Sequence, residues 1–246
     1  MENKKPIIIA HRGASAYAPE NTMVAFQKAV ELSADGIEFD VKCSKDGEMV
    51  IIHDQSLERT TNGHGRVNET NLKDLRNLDA GSSFSSEFAG EKIPILSEVL
   101  EEFSKRLLIN IELTNYASIS DGLANKAAHL VKQMGVENRV FFSSFHPYNL
   151  FITRRILPNV SVALLALPGK KGWIFRSNLM RWLSPDLIHP FYLDVDKRFI
   201  EKQHKKNRKV NVWTVNTETQ IKKFLKDNVD GLITDDPSLA KRIINE

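Results

Sequence analysis

Ile37-Glu38-Phe39-Asp40-Val41-Lys42-Cys43, then Ser44-Lys45-Asp46-Gly47-Glu48, then Met49-Val50-Ile51-Ile52-His53 is the stretch whose reading decides the architecture. Side chains alternate across a strand, so Glu38, Asp40 and Lys42 share one face while Phe39 and Val41 take the other. Asp46-Gly47 is a tight-turn signal between two β-rich arms. A hairpin centred there sets His53 opposite Asp40. The second arm is then an extra antiparallel strand at the rim of whatever sheet holds Ile37–Val41.

Working outward, seven more short apolar runs surround this one: Ile7–Ala10, Leu107–Ile111, Val140–Ser143, Val160–Leu165, Leu187–Ile188, Val210–Thr214 and Gly231–Ile233. Short continuous runs are the pattern of strands buried on both faces. Helical signals separate them. Met23, Phe26 and Val30 recur at helical spacing; Leu123, Ala127, Leu130, Val131 and Met134 form a stripe closed by Gly135. Thr217 to Gln220 is a capping box, and Asp236-Pro237 opens the last helix. Eight strands alternating with helices predict an α/β fold, a TIM (β/α)8 barrel, with a small insertion after strand two. Residues 54–93, rich in Thr, Asn, Gly and Ser, form that insertion over the barrel mouth, within a single domain spanning 1–246. No glycine-rich phosphate loop follows a strand, which argues against an open nucleotide-binding sheet.

The 246 residues, 41% hydrophobic, suffice for one such core, and a formal charge of +3 suggests no nucleic-acid partner. One cysteine, Cys43, excludes an intramolecular disulfide and fits a reducing compartment. No apolar stretch approaches the roughly 18 residues a membrane span needs. The apolar run 7–10 is too short for a signal peptide, so a cytoplasmic location is expected. The basic run 202–209 reads as a solvated helix end. Nothing in the pattern specifies an oligomeric state.

Active sites of such barrels lie at the C-terminal ends of the strands. There the sequence sets His11-Arg12 after strand one, Glu38 and Asp40 on strand two, Glu112 on strand three, and His53 at the end of the hairpin. Carboxylates on an inward face repel and lose hydration unless something neutralises them. Glu38, Asp40 and Glu112 together make a hard oxygen site suited to one divalent cation, Mg²⁺ or Ca²⁺; pairing with Arg12 or Lys42 in a structural network is the alternative. Two histidines at the same mouth supply a base for the nucleophile and an acid for the leaving oxygen of a phosphodiester, and Arg12 offers a planar fork to phosphate. Trp213 falls near the end of strand seven, where it lines a pocket.

The tracts His11-Arg12-Gly13, Pro19-Glu20-Asn21-Thr22, Glu38-Phe39-Asp40-Val41, Lys45-Asp46-Gly47 and His53-Asp54 resemble the glycerophosphodiester phosphodiesterase family. So do Ile111-Glu112-Leu113, Ser143-Ser144-Phe145, Trp213-Thr214-Val215-Asn216 and Gly231-Leu232-Ile233-Thr234-Asp235. The resemblance implies a TIM barrel, His11 and His53 as general acid and base, one metal on Glu38, Asp40 and Glu112, Arg12 on the phosphate, and Trp213 in the glycerol pocket. It implies attack by the neighbouring glycerol hydroxyl, a cyclic phosphate, and hydrolysis to glycerol 3-phosphate. Glu20 is expected to orient Arg12. The sequence departs from the family at Thr114, where a phosphate-holding lysine is usual. Lys42, on the ligand face, is the first candidate to replace that cation, with Lys170 and Lys171 behind it.

Residues 172–183 are apolar with two tryptophans, Trp173 and Trp182. They read first as a barrel helix burying Ile174, Leu179 and Leu183, and second as a peripheral lipid contact. Small glycerophosphodiesters are the leading substrate class. A lysophospholipid cut on the same barrel is the alternative, and a non-catalytic barrel binding phosphate esters a distant third. His64, His129, His146 and His189 are read as lesser residues, with His146 and His189 bordering the pocket at most.

Overall fold

A computed structural model describes residues 5–118, 120–177, 183 and 185–246. Its strands are β1 (Ile7–His11), β2 (Gly36–Cys43), β3 (Met49–Ile51), β4 (Leu108–Leu113), β5 (Val140–Ser144), β6 (Val162–Ala166), β7 (Leu187–Pro190), β8 (Lys209–Val212) and β9 (Gly231–Thr234). All but β3 are parallel. They follow the order β1-β9-β8-β7-β6-β5-β4-β2, and β1 pairs with β2 to close the ring. The chain is an eight-stranded α/β barrel of the TIM type, with β3 added antiparallel to β2.

Helices α1 (Met23–Glu31), α2 (Leu72–Leu75), α3 (Leu96–Phe103), α4 (Leu123–Met134), α5 (Pro147–Ile156), α6 (Trp173–Arg176), α7 (Lys197–His204), α8 (Glu218–Lys226) and α9 (Pro237–Asn245) fill the intervals. Their ends follow the local code. Thr22 caps α1 through its hydroxyl, Thr217 and Gln220 form the capping box of α8, and Gly135 closes α4 in the left-handed region. The outward face of β2 packs into the helical shell, where Phe26 meets Phe39 at 5.5 Å and Phe103 at 5.9 Å.

The hairpin register corrects the expectation by one residue. Val41 pairs with Ile51 and Cys43 with Met49, and Ile52 N–H still donates to the Asp40 carbonyl at 3.0 Å. Asp40 therefore faces Ile52, and His53 sits level with Phe39. The reason is the loop length. Ser44 N–H donates to Glu48 O and Gly47 N–H to Ser44 O, so three residues turn the chain, with Gly47 at a φ of 84°. The turn is centred on Asp46, not between Asp46 and Gly47.

Residues 54–93 are not merely polar loop. Leu57, Val67, Leu75, Ala80 and Ile93 bury against Val50 and Ile52, a small core that holds β3 down. The expected barrel helix over 172–183 is shorter than its apolar pattern suggests. Helix α6 has four residues, Ile174 is 43% exposed, Leu183 is buried, and Leu179 and Trp182 lie outside the described residues.

The barrel interior is part apolar (Ile9, Phe141, Ala163, Leu187, Ile233) and part polar (Asn110, Ser143, His189, Asn211). Burial pushes the His189 imidazole down to about 3. It is therefore neutral, and the Asn211 amide lies 3.1 Å from its Nε2. A solvated imidazole titrates near 6.5, so between about pH 6.5 and 3 the unfolded chain holds a proton that the folded chain refuses. Stability then falls as pH falls through that window, by roughly 1.4 kcal/mol per unit. His189→Phe removes this contribution. Thermal melts across that range are expected to show a shallower acid limb than the parent, and an unchanged slope would refute the assignment.

Candidate active site

The carboxylate cluster follows from strand parity and register. Glu38 and Asp40 alternate onto the inner face of β2, and β4 pairs Asp40 directly with Glu112. One oxygen from each of the three lies within 4.8 Å of the others. A single ion with metal–oxygen bonds of roughly 2.0–2.6 Å spans such a set, and an all-oxygen donor set suits Mg²⁺ or Ca²⁺. The electrostatics match a site short of positive charge. Burial, with the Asp40 charge next, pushes Glu112 up to about 8 and raises Glu38 well above the carboxylate range. Asp40 goes the other way. Burial works against its charge, but Arg12 and then His53 outweigh it and lower its pKa.

Arg12 is fixed by unusual backbone. Its φ is 57° and that of Gly13 is 83°, and a Cβ on Gly13 would lie 2.7 Å from Ala25. The turn aims the Arg12 N–H at Glu38 Oε2 (3.1 Å), Nε at Asp40 Oδ2 (3.3 Å) and Nη1 at Glu20 Oε1 (2.8 Å). Glu20 thus orients Arg12, as the sequence suggested. Asn21, also at positive φ, donates from Nδ2 to Asp40 Oδ2 at 3.0 Å.

The two histidines reach the same edge of β2 from opposite directions. Strand β1 ends with His11 paired to Glu38, and β3 takes over that edge from Asp40 onward, running back towards β1. Each imidazole has its Nδ1 against a carboxylate at 2.6 Å, His11 to Asp235 and His53 to Asp54. Asp235 is delivered by β9, the neighbour of β1, and is held by Asn216 Nδ2 and Ser15 Oγ. Asp54 is gripped by Arg59 through Nε at 2.6 Å, and the same guanidinium bridges to Glu20 at 2.7 and 2.8 Å. Hydrogen bonding from Arg59, then from His53, lowers Asp54 to about 2. A continuous chain of hydrogen bonds and ion pairs therefore runs His53–Asp54–Arg59–Glu20–Arg12–Asp40.

A cavity of about 230 Å³ brings together His11, Arg12, Glu38, Asp40, His53 and Glu112, with Phe145 and Trp213 as its aromatic wall. Phe145 and Trp213 meet edge-on at 5.8 Å, and Trp213 Nε1 donates to the His189 carbonyl at 2.8 Å. Tyr116 donates its hydroxyl to Glu112 Oε1 at 3.0 Å. Lys42 shares the inner face of β2 but is not among the residues lining the cavity. Its ammonium donates to the carbonyl (2.9 Å) and hydroxyl (2.8 Å) of Thr114, so the residue at the usual lysine position holds Lys42 in place.

Several members of this network were not assigned roles from sequence. Asp54 follows His53 directly, and Asp235 ends the strand beside β1, so adjacency and topology were the available signals. Arg59 lies in the insertion, where no periodicity points to it. His189, read as bordering the pocket at most, is part of its lining.

Residues 11–239 match the model of the glycerophosphoryl diester phosphodiesterase family. A glycerophosphodiester phosphodiesterase of Caldanaerobacter subterraneus is 38% identical over 98% of this chain and 99% of its own length. The structure of an Oleispira antarctica phosphodiesterase, in complex with the product sn-glycerol-3-phosphate, superposes with a TM-score of 0.84 at 29% identity, covering 98% of this chain and 97% of that one. A glycerophosphodiester phosphodiesterase from Agrobacterium tumefaciens matches with a TM-score of 0.83 at 28% identity, over 96% and 99% of the two chains. The chain belongs to the glycerophosphoryl diester phosphodiesterase family of enzymes.

Proposed function

We propose that this chain, acting as one domain over residues 1–246 with 54–93 as an insertion over the mouth, is a metal-dependent hydrolase of small glycerophosphodiesters. It releases glycerol 3-phosphate and an alcohol. The observation that carries the reading is the meeting, on one cavity, of two carboxylate-held imidazoles and a three-carboxylate cluster.

Glu38, Asp40 and Glu112 would hold one divalent cation, which would supply positive charge against the developing negative charge of the phosphate. Arg12 supplies the second charge from its fixed turn. A carboxylate on Nδ1 sets each imidazole in the tautomer whose Nε2 lone pair can take a proton, and steadies the imidazolium once it forms. One histidine removes the proton of the glycerol hydroxyl beside the phosphate. That oxygen attacks phosphorus, and the other histidine protonates the departing alcohol oxygen. The product is a cyclic phosphate. The pair then exchanges roles: water, deprotonated by the second histidine, opens the ring and the first protonates the released glycerol oxygen. Trp213 and Phe145 pack the glycerol carbons, and the Lys42 charge acts on Asp40 and Glu112 from behind Thr114.

Release of glycerol 3-phosphate from glycerophosphocholine or glycerophosphoethanolamine, with and without a chelator, tests the reading. No release from any deacylated phospholipid in the presence of Mg²⁺ or Ca²⁺ would sink it. Arg59→Ala removes support from both His53 and Arg12 and is expected to lower kcat roughly tenfold, with the fold intact. Arg59→Lys is expected to restore only part, since a lysine lacks the fork that grips Asp54 and Glu20 together; full activity in Arg59→Ala would remove the network from the mechanism.

A lysophospholipid is the second reading, favoured by aromatic contacts that continue from Trp213 to Phe191 at 5.3 Å and on to Tyr192 at 4.6 Å. Relative rates on glycerophosphocholine and lysophosphatidylcholine separate the two.

A further inference from the structure

Two loops beside the cavity mouth carry large apolar side chains that the barrel does not bury. Leu193, after β7, is 72% exposed; Trp173 and Ile174, in α6, are 62% and 43% exposed; Leu167, after β6, is 38% exposed. The loops are stitched into one surface. Arg176 Nη1 pairs with Asp194 Oδ2 at 3.0 Å and donates to Leu167 O, its Nη2 donates to Gly169 O, and Gly169 N–H donates to Asp194 Oδ2 at 2.7 Å. Large apolar groups left exposed on loops braced in this way mark a contact surface, since scattered ones need no such bracing.

The charges around the patch select its occupant. Lys170, Lys171, Lys197 and Arg198 are exposed on the same two loops and the helix start that follows. The two acids between them are both engaged, Asp194 by Arg176 and the Gly169 amide and Asp196 by the Phe199 amide that it caps. A second copy of this chain would bring the same cations face to face. An anionic lipid surface answers both features, taking tryptophan and leucine side chains into its headgroup–acyl boundary while its phosphates meet the lysines. The patch is on the cavity side of the molecule: Phe191, two residues before Leu193, packs on Trp213 of the cavity wall.

We propose that Leu167, Trp173, Ile174 and Leu193, with Lys170 and Lys171, dock the barrel mouth onto anionic phospholipid surfaces. Docking presents the cavity to glycerol phosphodiesters at the interface and keeps the enzyme close to the membrane from which deacylated headgroups are shed.

Flotation of the full chain with vesicles of phosphatidylglycerol and phosphatidylcholine, against pure phosphatidylcholine vesicles, tests this. The wild type is expected to float with the anionic vesicles and to be released by high salt. Trp173→Ser with Leu193→Ser is expected to lower the bound fraction at least tenfold while leaving the kcat on soluble glycerophosphocholine unchanged. Lys170→Glu with Lys171→Glu is expected to abolish the preference for anionic vesicles. Equal binding by wild type and the Trp173/Leu193 variant overturns the assignment. So does failure of the wild type to bind, or a wild-type dimer that the same variant converts to monomer. Binding is scored without turnover, so its failure is distinguishable from a failure of the phosphodiesterase reading.

Discussion

His53→Ala and His11→Ala are each expected to lower kcat on glycerophosphocholine by roughly 10²–10⁴-fold, the range general acid or base catalysis contributes. The two substitutions remove different protons from the same displacement. Each leaves one step without its base and the other without its acid. The double variant is therefore expected to fall little further than either single one, as groups acting as a unit are non-additive. Stability is expected to change little, because His53 is partly exposed and neither ring packs in the core. Asp54→Asn and Asp235→Asn test the same machinery one bond away: each keeps the geometry but no longer stabilises the imidazolium, so each is expected to lose a large part of the same factor. A barrel that only binds phosphate esters would keep its ligand affinity in His53→Ala and have no turnover to lose. Single-turnover rates and glycerol 3-phosphate binding, measured side by side, distinguish the outcomes.

The second large effect is expected from the carboxylates. Chelation is expected to abolish turnover, and Mg²⁺ or Ca²⁺ to restore it. The same ion, at a hundredfold over its Kd, is expected to stabilise the fold by about 2.7 kcal/mol. For a chain of this size that is a melting shift of roughly 5–10 °C. Glu38→Gln separates the two consequences. Two buried acids and the half-buried Glu112 face one contacting guanidinium in the metal-free protein, and burial with the Asp40 charge already raises Glu38, so a neutral amide there spares the cost of holding or protonating that carboxylate. Melting of the metal-free variant is expected to rise, its metal-induced shift to shrink, and its kcat to drop by about 10²-fold or more, as loss of a charge-stabilising ion entails. A variant that keeps both the metal-induced shift and the activity would dissociate Glu38 from the ion.

Much of the barrel was legible because its signals are local. A strand buried on both faces is a short apolar run, and period-two alternation put Glu38 and Asp40 on one face without any knowledge of their neighbours. The helix caps at Thr22, Thr217 and Gly135 were legible for the same reason, since each depends on three or four consecutive residues. The hairpin was located but mis-registered by one residue, because Asp46-Gly47 marks a turn without counting its loop; only the bond from Ser44 N–H to Glu48 O counts it. The α6 segment shows the converse. An apolar pattern at helical spacing does not say whether a surface exists for it to pack against, and here Trp173 and Ile174 stay largely or partly exposed.

The residue types of the site, and the strands that carry them, were therefore determined by sequence alone: acids on β2 and β4, a histidine at the end of β1, another after the hairpin. What only the tertiary structure decided is how those groups are held. Asp235 reaches His11 because β9 closes on β1 across more than two hundred residues, and Arg59 joins His53 to Arg12 because its guanidinium reaches both Asp54 and Glu20. Lys42 is turned onto Thr114, and His189 is stripped of solvent until it stays neutral. Each of these depends on distance and dielectric between residues far apart in the chain, quantities that local patterning does not encode.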